Sequence, residues 1–187
     1  MSIKKYVLCI LLVISMFVIG YQNNEHINSD YSFSNDFTIL DIDDIDKTLS
    51  NQIYAEQDNE VGYVAVIEYK SNNASMKQYP VKNGGIISLT IPKDSKFIIS
   101  LYANATVAYT WNIKNNLNNE VIQFENRSMI DIPGPASEEI KYGASKARQN
   151  FYFKTIKSSR EKIVMRYEHQ SEQRNEFFEI TFNIMIK

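Results

Sequence analysis

The sequence predicts an all-β protein, an antiparallel sandwich of two sheets, and three observations lead to this fold class. Beyond Val61 the apolar residues recur at every second position, which is the spacing of a strand with one buried face. Short runs of this kind alternate with turn residues, and no helical pattern follows Ile53. Aromatic residues form 12% of the chain, which favours a well-packed core. Many short strands separated by turns are typical of immunoglobulin-like sandwiches.

The first element along the chain is a predicted signal peptide over residues 1–20. Two lysines precede an apolar run from Tyr6 to Ile19, and the small residue Gly20 precedes a polar stretch. The run is shorter than the roughly 20 apolar residues that a membrane span requires. We therefore expect cleavage after Gly20, a secreted or extracytoplasmic protein, and no membrane association after signal cleavage. An uncleaved anchor is the alternative.

Residues 21–60 are predicted to form a tether followed by a short helix. From Gln22 to about Asn35 the sequence is polar with scattered aromatics, as in flexible segments. The acidic residues at 41–46 suit the positive N-terminus of a helix, and they lack the glycine and the final glutamate of an EF-hand calcium loop. Apolar residues at steps of three and four define one face of this helix: Ile42, Ile45, Leu49 and Ile53.

The sandwich domain is predicted over residues 61–187, where the last strand-like run has the clearest pattern. In that run Phe178 and Phe182 lie on the predicted buried face, whereas Glu179 lies on the other. We expect Trp111, Phe153 and Phe182 in the core. The strand-like runs are Val61–Tyr69, Ile86–Ile91, Lys96–Tyr102, Tyr109–Ile113, Val121–Glu125, Gln149–Ile156, Lys162–Tyr167 and Phe177–Ile186.

Composition and motif content exclude several classes of function. A net charge of −2 offers no basic surface for nucleic acid. Cys9 is the only cysteine and lies in the predicted signal, so the mature protein has no disulfide and no thiol nucleophile. His26 and His169 have no further ligands at zinc spacing. Nucleophile elbows, phosphate-binding loops and dinucleotide fingerprints are absent from the sequence. We therefore expect that the protein is not an enzyme and that it binds no cofactor and no metal ion.

Three segments of the β-rich region resemble the loops of the chagasin family of cysteine-peptidase inhibitors, over about residues 85–187. The family's first loop reads Asn-Pro-Thr-Thr-Gly-Tyr/Phe-x-Trp, and this chain has Asn104, Ala105, Thr106, Val107, Ala108, Tyr109 and Trp111 at the specified positions. Where the family has Gly-x-Gly-Gly, this chain has Gly143, Ala144, Ser145 and Lys146. Where the family has Arg-Pro-Trp, this chain has His169, Gln170 and Ser171.

The resemblance implies that these three loops form a wedge at one end of the sandwich. The first loop would cover the catalytic Cys and His of a papain-like cysteine peptidase, with Thr106 at the centre, and the other two would clamp on either side. Tyr109 and Trp111 would hold the base of the first loop. Because Ala105 replaces proline, we expect the free loop to be looser by roughly 0.4–1 kcal/mol.

The implied function is that of a secreted, monomeric inhibitor that blocks a papain-like cysteine peptidase non-covalently. A rigid sandwich that orders its loops in advance suits this role, since little entropy is lost on docking. Two alternatives stay open. One is a non-inhibitory immunoglobulin-like extracellular module that binds a protein or a glycan, and the other is an envelope-associated spacer.

Overall fold

The computed structural model describes residues 33–38, 45–46, 63–71, 73–131, 146–171 and 176–187. These ranges are almost entirely β-structure, as predicted. The strands in chain order are β1 (Phe33–Thr38), β2 (Tyr63–Lys70), β3 (Asn73–Pro80), β4 (Gly85–Ile91), β5 (Lys96–Asn104), β6 (Tyr109–Ile113), β7 (Ile122–Asp131), β8 (Lys146–Thr155), β9 (Arg160–His169) and β10 (Phe177–Ile186).

The strands form two sheets that pack face to face. The six-stranded sheet has the order β1-β3-β2-β5-β8-β7, and the four-stranded sheet has the order β4-β10-β9-β6. Neighbouring strands run antiparallel with one exception. β4 and β10 are parallel, from the Gly85–Ile180 pair to the Ile91–Ile186 pair. The predicted all-β sandwich is confirmed, and its four-stranded sheet is mixed rather than purely antiparallel.

The main core lies between the two sheets. Phe97 and Phe153 come from adjacent strands of the six-stranded sheet, and their rings stack with centroids 5.1 Å apart. Trp111 and Phe182 face them from the four-stranded sheet, and both are buried. The predicted core positions of Trp111, Phe153 and Phe182 are therefore confirmed. The alternation along β10 is also confirmed from Ile180 onward, because the even-numbered residues are buried and the odd-numbered residues between them are not.

A second apolar cluster covers the outer face of the six-stranded sheet, so this sheet is buried on both sides. Ile45 packs against the cluster, and Asp46 beside it accepts hydrogen bonds from Ser128 at 2.9 Å, from Asn150 at 3.2 Å and from the Tyr152 hydroxyl. These contacts hold Ile45 and Asp46 against the outer face of the sheet. The buried members of the cluster are Ala65, Ile67, Ala74, Met76, Ile98, Ile130 and Tyr152.

Two observed strands, β1 and β3, differ from the organisation predicted from the sequence. The tether predicted up to about Asn35 is wrong over its last residues, because Phe33–Thr38 pairs with β3 from Phe33–Gln78 to Thr38–Asn73. β3 itself was not predicted. Of the predicted helix, Ile45 and Asp46 are helical, and the other stripe positions lie outside the described residues. The described part of the chain has no helix long and apolar enough to cross a membrane.

Candidate functional site

The register of the strands brings the predicted loops to one end of the sandwich. β5 ends at Asn104, which pairs with Lys146 at the start of β8. β6 begins at Tyr109, which pairs with His169 at the end of β9. The segment 105–108 connects β5 of one sheet to β6 of the other, so it joins these two pairs. We call this end of the sandwich the loop end.

The sequence-predicted residues fall into two groups with respect to the described structure. The first and third loops, together with Lys146, lie at the loop end. Gly143, Ala144 and Ser145 of the second loop lie outside the described residues. The register at Lys146 nevertheless places the start of β8, which follows that loop directly, beside the first loop.

The first loop is ordered by the side chain of its own first residue. The Oδ1 atom of Asn104 accepts hydrogen bonds from the backbone N–H of Thr106 at 2.9 Å and from its hydroxyl at 2.6 Å. The N–H of Val107 also donates to the carbonyl of Asn104 at 3.4 Å. Asparagine commonly closes such turns by bonding to the backbone two residues ahead. The loop thus has a local constraint that does not depend on the missing proline.

Residues 105–108 need no glycine in this conformation. Among described residues other than glycine, only Ser71 and Asp94 have positive φ angles. Ala108 therefore sits in ordinary backbone space without the strain that a side chain suffers in the left-handed region. The four residues are exposed, and the side chain of Val107 is 41% exposed at the tip.

The base of the loop is anchored by Trp111, which is 1% exposed. Its indole N–H donates to the carbonyl of Tyr102 at 2.8 Å, which ties β6 to β5 across the connection between the sheets. Its ring also lies against Tyr167 and Phe178, with centroid distances of 5.3 and 6.0 Å. Trp111 thus fixes the start of β6 through one hydrogen bond and two ring contacts.

Gln149 on β8 is a second anchor that the sequence analysis missed. Its Oε1 atom accepts hydrogen bonds from the N–H of Trp111 at 2.9 Å and from the hydroxyl of Thr110 at 3.2 Å, while its Nε2 atom donates to the carbonyl of Trp111 at 3.2 Å. One side chain of the six-stranded sheet thus satisfies backbone groups of the four-stranded sheet. Gln149 lies two and four residues before Phe151 and Phe153 on β8, and residues two apart in a strand share a face. This spacing is the sequence signal that indicates a core-facing position for Gln149.

The third loop is joined to the first by backbone and side-chain contacts. The N–H of Gln170 donates to the carbonyl of Ala108 at 2.8 Å. The ring of His169 meets the ring of Tyr109 edge-on with centroids 5.0 Å apart, and its Nδ1 atom accepts a hydrogen bond from the N–H of Ser171 at 3.0 Å. The first and third loops therefore form one connected surface.

Two titratable groups below the loops have shifted pKa values. Burial raises the pKa of Tyr167, although the hydrogen bond from the N–H of Asn104 at 3.3 Å works in the opposite direction. For Glu168, burial favours a higher pKa, but hydrogen bonds from Lys114 and Asn112 outweigh it and lower the pKa. At neutral pH Tyr167 is therefore a neutral phenol and Glu168 is a carboxylate.

The loop end presents an ordered polar and apolar surface. The described residues contain no group of three or more His, Cys, Asp or Glu that could hold a metal ion. What the loop end presents is backbone groups, small side chains and one exposed valine on a braced scaffold. Ordered loops of this kind suit docking, since they lose little freedom on binding.

One family model and two solved structures are similar to this chain. The model of the family described as chagasin family peptidase inhibitor I42 matches residues 90–186. Among solved structures, the cysteine protease inhibitor EhICP2 from Entamoeba histolytica is 18% identical with a TM-score of 0.45, over 55% of this chain and 94% of that one. The solution structure of amebosin is 16% identical with a TM-score of 0.38, over 56% and 90% respectively. No curated protein sequence matches significantly.

Proposed function

Because this chain belongs to the chagasin family of peptidase inhibitors, we propose that it is a secreted inhibitor of papain-like cysteine peptidases. In this proposal the first loop enters the active-site cleft of the target and the flanking loops contact its rims. In this proposal inhibition is reversible and non-covalent, and the exposed loop has no cysteine that could form a disulfide with the catalytic thiol of the target.

The observation that carries the proposal is the hydrogen bond from the N–H of Gln170 to the carbonyl of Ala108. It joins two loops that are about sixty residues apart in sequence at the same end of the molecule. A single flexible loop would have to be ordered on binding, at a free-energy cost for every side chain that is immobilised. Two loops held together before binding avoid much of that cost.

The tip residues also suit entry into a narrow cleft. Ala105, Thr106, Val107 and Ala108 are small and exposed, and the turn at Asn104 holds them in one conformation. Small side chains allow the backbone to approach the target closely, while bulkier groups remain at the base. Thr106 lies at the centre of this segment, so added volume at this position should interfere with docking.

The test is to titrate papain and cathepsin-type enzymes with the purified protein and to compare it with Thr106→Arg. We expect Thr106→Arg to raise the inhibition constant ten-fold or more, which corresponds to about 1.4 kcal/mol. Thr90→Arg is the matched control, because Thr90 is an exposed threonine near the opposite end, where it pairs with Met185. Equal constants for wild type and Thr106→Arg would remove the first loop from the mechanism.

The same preparation tests the rest of the proposal. Dilution of the complex should restore full peptidase activity if binding is non-covalent. Mass spectrometry of protein from the culture medium should give a chain that begins near Tyr21 if the signal is cleaved. A species confined to membranes and beginning at Met1 would contradict secretion. Absence of inhibition across several papain-like enzymes would favour the non-inhibitory binding module instead.

A further inference from the structure

An exposed aromatic side chain lies beside the loop end, on a surface that the three loops do not include. Four large apolar residues of the described chain are exposed: Val107 at 41%, Phe124 at 39%, Met129 at 46% and Phe177 at 47%. Single exposed apolar residues are common on protein surfaces. Phe177 differs because its surroundings hold the ring in place and because of its position.

Phe177 is at the same level of the sandwich as the base of the first loop. In the four-stranded sheet Thr110 pairs with Glu168, and Glu168 pairs with Phe177. Two strand spacings separate Thr110 from Phe177, or about 10 Å. Phe178 points into the core against Trp111, so Phe177 projects from the outer face of the sheet.

The ring of Phe177 is held by a charged pair on the neighbouring positions. The guanidinium of Arg166 lies over the ring at 4.0 Å from its centroid. Nε and Nη2 of Arg166 both donate to Oε2 of Glu179, at 3.0 and 2.7 Å. A cation over an aromatic face is attracted by the ring, and the carboxylate fixes the cation. The side chain is therefore constrained before any partner arrives.

Two ion pairs flank this ring on the outer face of the sheet. Arg166 is matched by Glu179, and Lys114 bonds both carboxylate oxygens of Glu168 at 2.9 and 3.3 Å. Among the described side chains of this band, the exposed apolar one is the ring of Phe177, next to the exposed Glu176. Aromatic residues, phenylalanine among them, and arginine are both enriched at protein interfaces relative to the rest of the surface.

We propose that Phe177, held by Arg166, is an accessory anchor that extends the peptidase interface from the loop end onto the outer face of the four-stranded sheet. This inference rests on the proposed inhibitory function. Its partner is an apolar patch on the peptidase surface beside the cleft. Phe177 thus contributes to the choice of target, because peptidases that lack such a patch lose this contact while the loops still enter the cleft.

The test compares inhibition constants of the full protein and its variants against a panel of papain-like enzymes. Phe177→Ala should raise the constant ten-fold or more for some members of the panel and leave others unchanged, with an unaltered melting temperature. Phe177→Tyr should retain inhibition because it keeps the ring. Phe124→Ala is the matched control, since Phe124 pairs with Phe153, seven residues along β8 from Lys146, or about 23 Å from the loop end.

The outcomes separate this inference from the function on which it rests. If Phe177→Ala inhibits every enzyme as well as wild type does, while Thr106→Arg loses inhibition, the accessory anchor is refuted and the inhibitory function stands. If Phe177→Ala and Phe124→Ala weaken inhibition equally, the effect is not specific to this position and the anchor is again refuted. If wild type inhibits none of the enzymes, both proposals are overturned.

Discussion

Replacing Gln149 by leucine removes the side chain that joins the two sheets beneath the loop end. Leucine keeps a side chain of similar volume but has no amide. The N–H of Trp111 then loses its acceptor at 2.9 Å, and the carbonyl of Trp111 loses its donor at 3.2 Å. Because β6 is the last strand in the order of its sheet, no neighbouring strand can supply these two bonds.

The expected loss of stability follows from the burial of these groups. Trp111 is 1% exposed and Gln149 is 3% exposed, so water cannot readily replace the lost partners. Each buried donor or acceptor without a partner costs about 1–3 kcal/mol, which gives about 2–6 kcal/mol for two. Burial of the apolar leucine side chain offsets about 1–2 kcal/mol of this. With the middle of each range, about 4 kcal/mol less about 1.5 kcal/mol, we expect a net decrease of about 2.5 kcal/mol in the free energy of unfolding.

Urea denaturation measures this change directly. The midpoint should fall while the slope stays the same, since the surface exposed on unfolding is unaltered. Gln123→Leu is the control, because Gln123 is exposed on β7. Loosening of Trp111 should also weaken inhibition by Gln149→Leu, but not by Gln123→Leu. Equal midpoints for Gln149→Leu and wild type would refute the role of Gln149 in joining the sheets.

Three further predictions concern the turn, the core and the pH dependence. Asn104→Ala removes both hydrogen bonds to Thr106, so we expect weaker inhibition with an unchanged melting temperature, whereas Asn104→Asp keeps the acceptor atom and should retain more activity. Phe182→Ala should lower the free energy of unfolding by about 3–5 kcal/mol in urea denaturation, because the side chain is fully buried. The lowered pKa of Glu168 means that its contacts with Lys114 stabilise the fold above the ordinary pKa of 4.5 and are lost as the pH falls below it. Glu168→Gln should therefore show a smaller loss of stability on acidification, and an identical acid profile would contradict this.

The strands that could be predicted are those whose own sequence alternates strongly. Tyr109–Ile113 and Phe177–Ile186 have the predicted bounds, because apolar and polar residues follow each other regularly within each run. β3 breaks this pattern, since Lys77 and Gln78 stand side by side between buried positions. β1 is a polar segment that becomes a strand by pairing with β3. Its structure is set by tertiary pairing rather than by its own composition.

The parallel pairing of β4 with β10 could not be predicted either, because it also depends on long-range pairing. Residues of these strands are about ninety-five positions apart, from the Gly85–Ile180 pair onward. Alternation within a strand identifies its buried face but not the direction of its neighbour. The shared location of the predicted loops came from the family resemblance. The hydrogen bonds that connect the first and third loops depend on long-range register, which no local pattern encodes.

The site combines two physical sources of order, and this explains how the first loop keeps its shape with altered residues. The tip is constrained by two hydrogen bonds that Thr106 donates to the side chain of Asn104, two residues earlier, so it needs no proline. The base is constrained by hydrogen bonds between Trp111 and Gln149, which are nearly forty residues apart in sequence. The expectation that Ala105 leaves a looser loop counted only the backbone restriction that proline supplies. Two side-chain hydrogen bonds of about 0.5–1.5 kcal/mol each are of the size needed to offset a loss of 0.4–1 kcal/mol. Because the loop is already ordered in this chain, its affinity for a target depends on what the tip and its flanks contact.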